Sequence, residues 1–244
     1  MKIAIYLTGN TYADISCRYG GFEDWFAREV TKHGAETVTF DVQRSEYPDL
    51  DRFDGSIITG SPSSVCTNPE PWTETLIEHL QNTLDMDYPT LGVCFGHQIL
   101  AKAAGATVQP HENGREIGTV SITKTPEGKQ HPLFEEISAE FKAQETHEDV
   151  VMALPGDKAI TVLAGNDFNR YQALAYSPHI FSVQFHPEIT ADIMQMYHKI
   201  YGTTLVEEGK LSRGEYTRIS ESIEETGTGE TLIRNFLDFI PSHD

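Results

Sequence analysis

The chain has 244 residues and is strongly acidic, with 37 Asp and Glu against 18 Lys and Arg and a formal net charge of −19. A surface of this charge repels phosphate backbones and anionic lipids, so nucleic acid and membranes are not expected partners. The acidic residues are spread along the whole chain, and we assign the charge no specific function.

The length and the N-terminus predict one soluble domain over residues 1–244. A chain of this length can bury a large core, and no internal repeat divides it. The opening MKIAIYLTGN has an apolar run of only about six residues, too short for a signal-peptide core or a membrane span. Cys17, Cys66 and Cys94 lack metal-ligand spacing and are odd in number, which predicts neither a disulfide framework nor a metal site. We expect a cytoplasmic protein without a cofactor.

Strands alternate with helices in the N-terminal part of the sequence. Short apolar runs predict strands at Lys2–Thr8, Val38–Val42, Gly55–Gly60 and Thr90–Val93. Apolar residues at helical spacing predict helices at Phe22–Gly34, Trp72–Leu84 and Gln98–Ala104. This alternation predicts an α/β fold with a doubly wound, mostly parallel sheet.

The pattern changes between Gly118 and Val183 to short strands separated by turn residues, such as TVSIT, EFKAQ and IFSVQ. We interpret this stretch as a small β-rich annex at one end of the sheet. Ala191–Tyr201 is predicted as a helix, and the polar, glutamate-rich residues 205–230 as a weakly helical surface excursion. Apolar side chains on one face of Thr231–Ile240 predict a C-terminal helix that docks on the core.

Cys94 lies in the segment LGVCFGHQIL, where an apolar strand passes into a helix. Gly92 and Gly96 stand two residues before and two after it, which allows the strained strand–turn–helix geometry of a nucleophile elbow. The start of the following helix favours a thiolate, and the backbone N–H of Phe95 points toward a developing oxyanion. The alternative interpretation is that Cys94 is a small buried apolar side chain.

His186 and Glu188 follow a second apolar strand, in IFSVQFHPEIT. An imidazole takes the thiol proton and returns one to the leaving amine, and a carboxylate on its other nitrogen fixes the tautomer. A lone histidine after an apolar strand is more often structural, and Glu188 alone fits a solvated turn. In combination with a cysteine elbow on another strand, the pair predicts a Cys–His–Glu triad.

With GVCFGHQ and FHPE in this order, the sequence resembles the class I glutamine amidotransferases. Gly60–Val65 resembles the oxyanion loop that follows the third strand in that family. THEDVVMALP at 146–155 is similar to the family segment Ser-His-x-Asp-x-Val-x-x-Leu-Pro, which lies beside the glutamine pocket. The four motifs keep the family order between residues 55 and 190. The resemblance implies a flavodoxin-like sheet.

The resemblance also implies the roles of individual residues. Those assigned a role are the triad Cys94, His186 and Glu188; the oxyanion donors Gly60 or Ser61 and Phe95; and the substrate-pocket residues Gln98, Thr146 and His147. The implied reaction is attack of the thiolate on the γ-carbonyl of glutamine, followed by hydrolysis of a γ-glutamyl thioester to give glutamate and ammonia. The substrate is thus a small molecule, glutamine or another γ-glutamyl compound.

Members of this family usually pass their ammonia to a synthetase, but no ATP-pyrophosphatase signature or Walker-type loop occurs in this sequence. A separate synthetase subunit is therefore one expected partner. The alternative comes from the Tyr19–Phe22 start, residues 146–155 and Asn235–Leu237, which also resemble stand-alone members related to plant γ-glutamyl peptidases. Those enzymes expel an amine or a peptide and need no synthetase.

Two further interpretations are a catalytically silent binding module that keeps the fold, and a cysteine protease of the PfpI type. The intact Cys, His and Glu argue against the first, and the late His-Pro-Glu motif argues against the second.

Overall fold

The computed structural model describes residues 1–241. Its strands are β1 (Lys2–Leu7), β2 (Glu36–Asp41), β3 (Gly55–Ile58), β4 (Thr90–Val93), β5 (Thr107–Pro110), β6 (Glu116–Lys124), β7 (Glu140–His147), β8 (Asp149–Ala153), β9 (Thr161–Gly165), β10 (Ala173–Ala175) and β11 (Ile180–Val183). Its α-helices are α1 (Ala13–Tyr19), α2 (Phe22–Lys32), α3 (Pro71–Asp85), α4 (Phe95–Ala103), α5 (Ala191–Tyr197), α6 (Thr203–Glu207), α7 (Arg213–Ser222) and α8 (Thr228–Asp238).

Parallel strands in the order β2-β1-β3-β4-β11 form one half of the main sheet. This is the order of flavodoxin-like doubly wound sheets, with four of the five strands contributed by the N-terminal part of the chain. Strands β1, β3, β4 and β11 are buried on both faces, as expected where helices cover both sides of a parallel sheet. The predicted α/β fold with a mostly parallel central sheet is confirmed.

The β-rich segment continues this same sheet. Strands β10, β9, β6 and β7 follow β11 in antiparallel order and complete a nine-stranded sheet within residues 1–241, while β5 and β8 form a separate pair. Strand β11 comes last in the chain but pairs in parallel with β4. The segment that follows β11 is therefore brought beside the segment that follows β4.

The C-terminal part is helical along most of its length. Helix α5 continues into a π-helical turn at His198–Gly202 and then into α6. Within residues 205–230, α7 begins with a capping box formed by Ser212 and Glu215, and its residues are intermediate or exposed. Helix α8 starts at Thr228 rather than Thr231 and buries an apolar face on the core. In the described part of the chain, no helix has the length and apolar character needed to cross a bilayer.

The turn from β4 into α4 is packed so closely that only glycine fits at two positions. A Cβ on Gly92 would lie 2.5 Å from the carbonyl oxygen of Gly96, and a Cβ on Gly96 would lie 2.4 Å from that of Ile58. Both contacts are with backbone, which cannot rotate away. Helix α4 therefore begins directly after Cys94, at Phe95, three residues earlier than the sequence pattern predicts.

We expect Gly96→Ala to lower the free energy of unfolding by about 3 kcal/mol, because the added methyl group forces β3 and α4 apart. Alanine favours a helix more than glycine, so a loss of stability reports the clash and not helix propensity. Gly156→Ala is the matched control, since a Cβ there meets nothing within 4 Å. Urea unfolding of both variants checks this, and equal midpoints would contradict the tight packing of the elbow.

Candidate active site

A cavity of about 490 Å³ opens at the carboxyl ends of the parallel strands, where α/β sheets of this order place their ligands. It is lined by Asn10, Thr11, Tyr12, Phe22, Ser61, Pro62, Ser63, Ser64, Thr67, Cys94, Gln98, Pro110, Arg115, Thr146, His147, Glu148, Asp149, His186, Tyr197 and Tyr201. The segments after β1, β3, β4, β7 and β11 all contribute. The cavity therefore gathers residues that are far apart in the sequence around one thiol.

Cys94 occupies the elbow between β4 and α4 in a strained conformation. Its φ is 52° and its ψ is −103°, a region that non-glycine residues rarely adopt. Its backbone N–H donates to the carbonyl of Val183 on β11, and its own carbonyl accepts from Gln98 in α4. These bonds hold the strained residue in place, and Cys94 is 5% exposed where it lines the cavity.

His186 and Glu188 form a buried pair beside this thiol. Nδ1 of His186 lies 2.7 Å from Oε1 of Glu188, and both side chains are almost fully buried. Among the described residues, Nε2 of His186 has no hydrogen-bond partner. Burial on its own lowers the pKa of His186, but the negative charges of Glu188 and Cys94 outweigh it and hold that pKa well above its usual value. The imidazole is thus suited to accept a proton at Nε2.

The geometry at Gly60 shows how near the thiol and the imidazole are. A Cβ on Gly60 would lie 3.1 Å from Cε1 of His186 and 3.7 Å from Cβ of Cys94. The loop after β3 therefore contacts both side chains, and a larger residue at this position would enter the space between them.

The backbone N–H groups of Gly60 and Ser61, in the loop after β3, and of Phe95, next to Cys94, have no protein acceptor in the part of the chain that the structure describes. Phe95 is the first residue of α4, where the N–H has no intrahelical partner. The loop itself is fixed, because the Ser61 hydroxyl donates to the carbonyl of Thr8 at 2.8 Å. These groups are free to donate to an oxyanion that forms beside Cys94.

The structure also brings the predicted pocket residues to the cavity. Gln98 lines it and is held by its side-chain amide, which donates to the carbonyl of Asp149 at 2.8 Å and to the side chain of Gln184 at 3.2 Å. Thr146 lines the same side. His147 is buried, with Nδ1 3.1 Å from the Asp149 carbonyl oxygen, so its ring is largely occupied by protein contacts.

Behind the cavity lies a buried acidic cluster that the sequence analysis missed. Oε2 of Glu116 lies 3.0 Å from Nε2 of His147, and Oε2 of Glu145 lies 3.3 Å from the same nitrogen. The three ligand atoms are close enough to hold a metal ion. Glu116 already accepts from Asn166 and Gln172, however, so we interpret the cluster as a hydrogen-bond network.

Glu145 is the unusual member of this cluster, because it is fully buried and neither carboxyl oxygen makes a hydrogen bond of good geometry. Burial raises its pKa well above the usual value, the charges of Glu116 and Cys94 add to this, and only His186 opposes it. The protonated form is therefore favoured. A neutral carboxyl at this place adds no negative charge next to the thiol. The alternation of inward and outward side chains along β7 could have identified the inward position of Glu145. Its proximity to Cys94, however, depends on the fold.

His97 follows the elbow in sequence but faces away from its chemistry. It is fully buried in α4, with Nδ1 2.7 Å from the hydroxyl of Ser182 on β11. Burial, together with the charge of His147, lowers its pKa to about 3, so the ring stays neutral. It ties α4 to β11 and thereby fixes the two segments that carry Cys94 and His186.

The second feature missed from sequence is an aromatic wall with one cation, formed by Tyr12, Tyr197, Tyr201 and Arg115. Tyr12 meets the other two rings edge-on, with centroid distances of 6.2 Å and 5.4 Å. The guanidinium of Arg115 stacks over the ring of Tyr201 at 4.0 Å. No local motif marks the three tyrosines, and the wall is assembled from three separate parts of the chain.

Similarity to known proteins extends over most of the chain. A family model described as glutamine amidotransferase class-I matches residues 18–203. The chain is 28% identical to Gamma-glutamyl peptidase 5 of Arabidopsis thaliana over 97% of this chain and 95% of that protein. It is 32% identical to a glutamine-hydrolyzing GMP synthase of Thermomicrobium roseum over 63% of this chain and 27% of that protein. A solved glutamine amidotransferase from Thermotoga maritima matches with a TM-score of 0.71 and 21% identity, covering 99% of this chain and 98% of that one, which shows a shared fold.

Proposed function

The chain belongs to the class I glutamine amidotransferase family, and on this premise we propose that it hydrolyses γ-glutamyl amide bonds with Cys94 as nucleophile. Within residues 1–241, the observation that carries the proposal is the buried His186–Glu188 pair, in which Nε2 of His186 is left without a partner in the same cavity as Cys94, with backbone N–H groups nearby that have no protein acceptor. Neither a metal nor a cofactor enters the proposed reaction.

In the proposed first half-reaction, His186 takes the thiol proton at Nε2 and the sulfur attacks the γ-carbonyl carbon. The carbonyl oxygen becomes an oxyanion, which accepts from the N–H of Phe95 and from Gly60 or Ser61. The tetrahedral intermediate collapses with cleavage of the C–N bond, and His186 returns the proton to the leaving nitrogen. The products are a γ-glutamyl thioester on Cys94 and free ammonia or amine.

In the second half-reaction, water attacks the thioester while His186 accepts one of its protons. Cleavage of the C–S bond releases glutamate, and His186 returns the proton to the sulfur, which restores the thiol. Glu188 bonds to Nδ1 throughout, which keeps Nε2 available as the acceptor and stabilises the imidazolium that forms. Gln98, Thr146 and His147, which line the cavity with Cys94, hold the glutamyl part.

Two leaving groups fit this chemistry. Glutamine, with ammonia as the product, is the substrate that the family name indicates, and a separate synthetase subunit would then receive the ammonia. A γ-glutamyl peptide is the second candidate. It is supported by a cavity of about 490 Å³, in the range of pockets for larger small molecules, and by the match to a γ-glutamyl peptidase over nearly the whole chain.

We expect the purified chain on its own to release glutamate from a γ-glutamyl compound. The assay compares glutamine, γ-glutamylphenylalanine and the isomeric α-glutamylphenylalanine, which has the same composition but no γ-amide bond. Ammonia-producing turnover of glutamine supports the first leaving group, and faster turnover of the γ-dipeptide supports the second. Folded protein that releases glutamate from none of them, or equally from the α-isomer, would contradict the proposed function.

A further inference from the structure

The side of the cavity that receives the leaving group can be located from the triad. The leaving nitrogen takes its proton from His186, so the rest of the leaving group must extend to the His186 side of Cys94. Tyr197 and Tyr201 line the same cavity as Cys94 and His186, and they lie on α5 and the π-helical turn, which follow His186 and Glu188 in the chain. Tyr201 stacks on Tyr197 with parallel rings at 6.2 Å. The aromatic wall therefore borders the cavity into which a leaving group would extend.

Arg115 adds a positive charge to this wall. It is the one Lys or Arg side chain that lines the cavity, within the residues for which the structure gives positions. Its side chain is only 17% exposed, yet its nearest carboxylate, Glu148, is 3.7 Å away and half exposed. Its one hydrogen bond, to the hydroxyl of Thr146, is 3.5 Å long. A largely buried guanidinium with such loose partners has donors left over for an anionic ligand.

The backbone near the wall also supports a binding role. Tyr201 lies in the π-helical turn His198–Gly202, a type of distortion that occurs frequently at functional sites. The turn places Tyr201 so that its ring faces the guanidinium of Arg115 at 4.0 Å. Stacking on an aromatic face holds the plane of the guanidinium, and its N–H groups make only the long contacts with Thr146 and Glu148 among the described residues. Such an edge can bind a carboxylate with two parallel hydrogen bonds.

We propose that Arg115 and Tyr201 form a leaving-group subsite that selects γ-glutamyl amino acids and peptides with a free carboxylate on the departing amine. This inference rests on the proposed function and names its substrate class. The reaction is the hydrolysis already written, with phenylalanine as the leaving amine in the simplest case. The C–N bond breaks, His186 protonates the amine, and Arg115 binds the carboxylate of the leaving amino acid before and after cleavage.

The test uses γ-glutamylphenylalanine and its C-terminal amide, which differ only in the charge at the departing carboxylate. We expect the wild-type protein to prefer the acid in kcat/KM, and Arg115→Gln to lower the acid-to-amide ratio about ten- to hundredfold, the range for a lost charge-assisted hydrogen-bond pair. Arg115→Lys should restore part of the ratio. Arg170→Gln is the matched control, because Arg170 also stacks on a tyrosine but lines a different cavity.

An equal fall for acid and amide in Arg115→Gln would overturn the inference, since Arg115 would then hold the glutamyl part or serve only the fold. The same pair of compounds is also titrated by calorimetry against Cys94→Ala protein, with and without Arg115→Gln. If the wild type hydrolyses nothing, the proposed function fails, but the dissociation constants still decide the subsite. A preference for the acid that disappears in Arg115→Gln supports it, and equal affinities for acid and amide overturn it.

Discussion

Cys94→Ala is expected to lower the rate of glutamate release by at least about 10⁴-fold, because no other group can form the thioester. The side chain is small and lies at the edge of the cavity, so the variant should fold normally and still bind its substrate. Residual rates in such variants come from the oxyanion donors and from substrate binding alone. Steady-state assays of glutamate release, with circular dichroism as a fold check, measure this effect.

The other two cysteines supply matched controls. Cys17 is exposed and Cys66 is half-buried, and neither lies at a strand-to-helix elbow. Burial raises the pKa of the Cys66 thiol, so that side chain remains protonated at neutral pH. Cys17→Ala and Cys66→Ala should therefore retain wild-type turnover. Activity that survives in Cys94→Ala, or disappears in Cys66→Ala, would refute Cys94 as the nucleophile.

Glu188→Gln is expected to lower kcat by about 10²- to 10⁴-fold while leaving the fold intact. The reason is the tautomer of His186. Glu188 accepts from Nδ1, so Nε2 is free to take the thiol proton. A glutamine can turn its NH₂ group toward Nδ1 and donate to it, which places the imidazole proton on Nε2 and blocks the transfer. Glu221→Gln, an exposed carboxylate on α7, is the control and should change nothing.

The same substitution has a direct consequence for titration. The negative charge of Glu188 stabilises the imidazolium, so its removal lowers the pKa of His186, and the ring loses its proton at a lower pH than in the parent. NMR titration of His186 in the Cys94→Ala background isolates this effect, because the thiol is absent from both proteins. A midpoint that stays the same or rises in Glu188→Gln would show that Glu188 does not act on His186.

The three residues of the proposed triad could be predicted from sequence because each lies in a short motif. Gly92 and Gly96 around Cys94 mark an elbow, and His186 and Glu188 are two residues apart at a strand end. The structure adds the reason for the glycines, since a Cβ on either one would collide with backbone. The strand ends and helix starts differ by a few residues, as at α4, because hydrogen bonds at the termini depend on neighbouring elements.

Several site features could not be predicted, because they depend on contacts between distant elements. Arg115, Tyr12, Tyr197 and Tyr201 come from separate segments and meet only when α5 and the π-helical turn pack beside β6 and β7. Glu145 has an ordinary sequence context, and its full burial beside Cys94 and His186 follows from its position on β7. The polarity of the residues and the period of the hydrophobic pattern do not indicate which charged side chains become neighbours in the fold.

The sequence by itself determined an α/β fold with a mostly parallel sheet, and it placed the proposed cysteine, histidine and glutamate at two strand ends. Local propensity and motif spacing suffice for these features, since they depend on residues close together in the chain. The tertiary structure alone decided where β11 lies, beside β4, and which side chains form the far wall of the cavity. Those features depend on long-range pairing and side-chain packing, in which residues more than a hundred positions apart meet, as in the hydrogen bond between Thr11 and Tyr197.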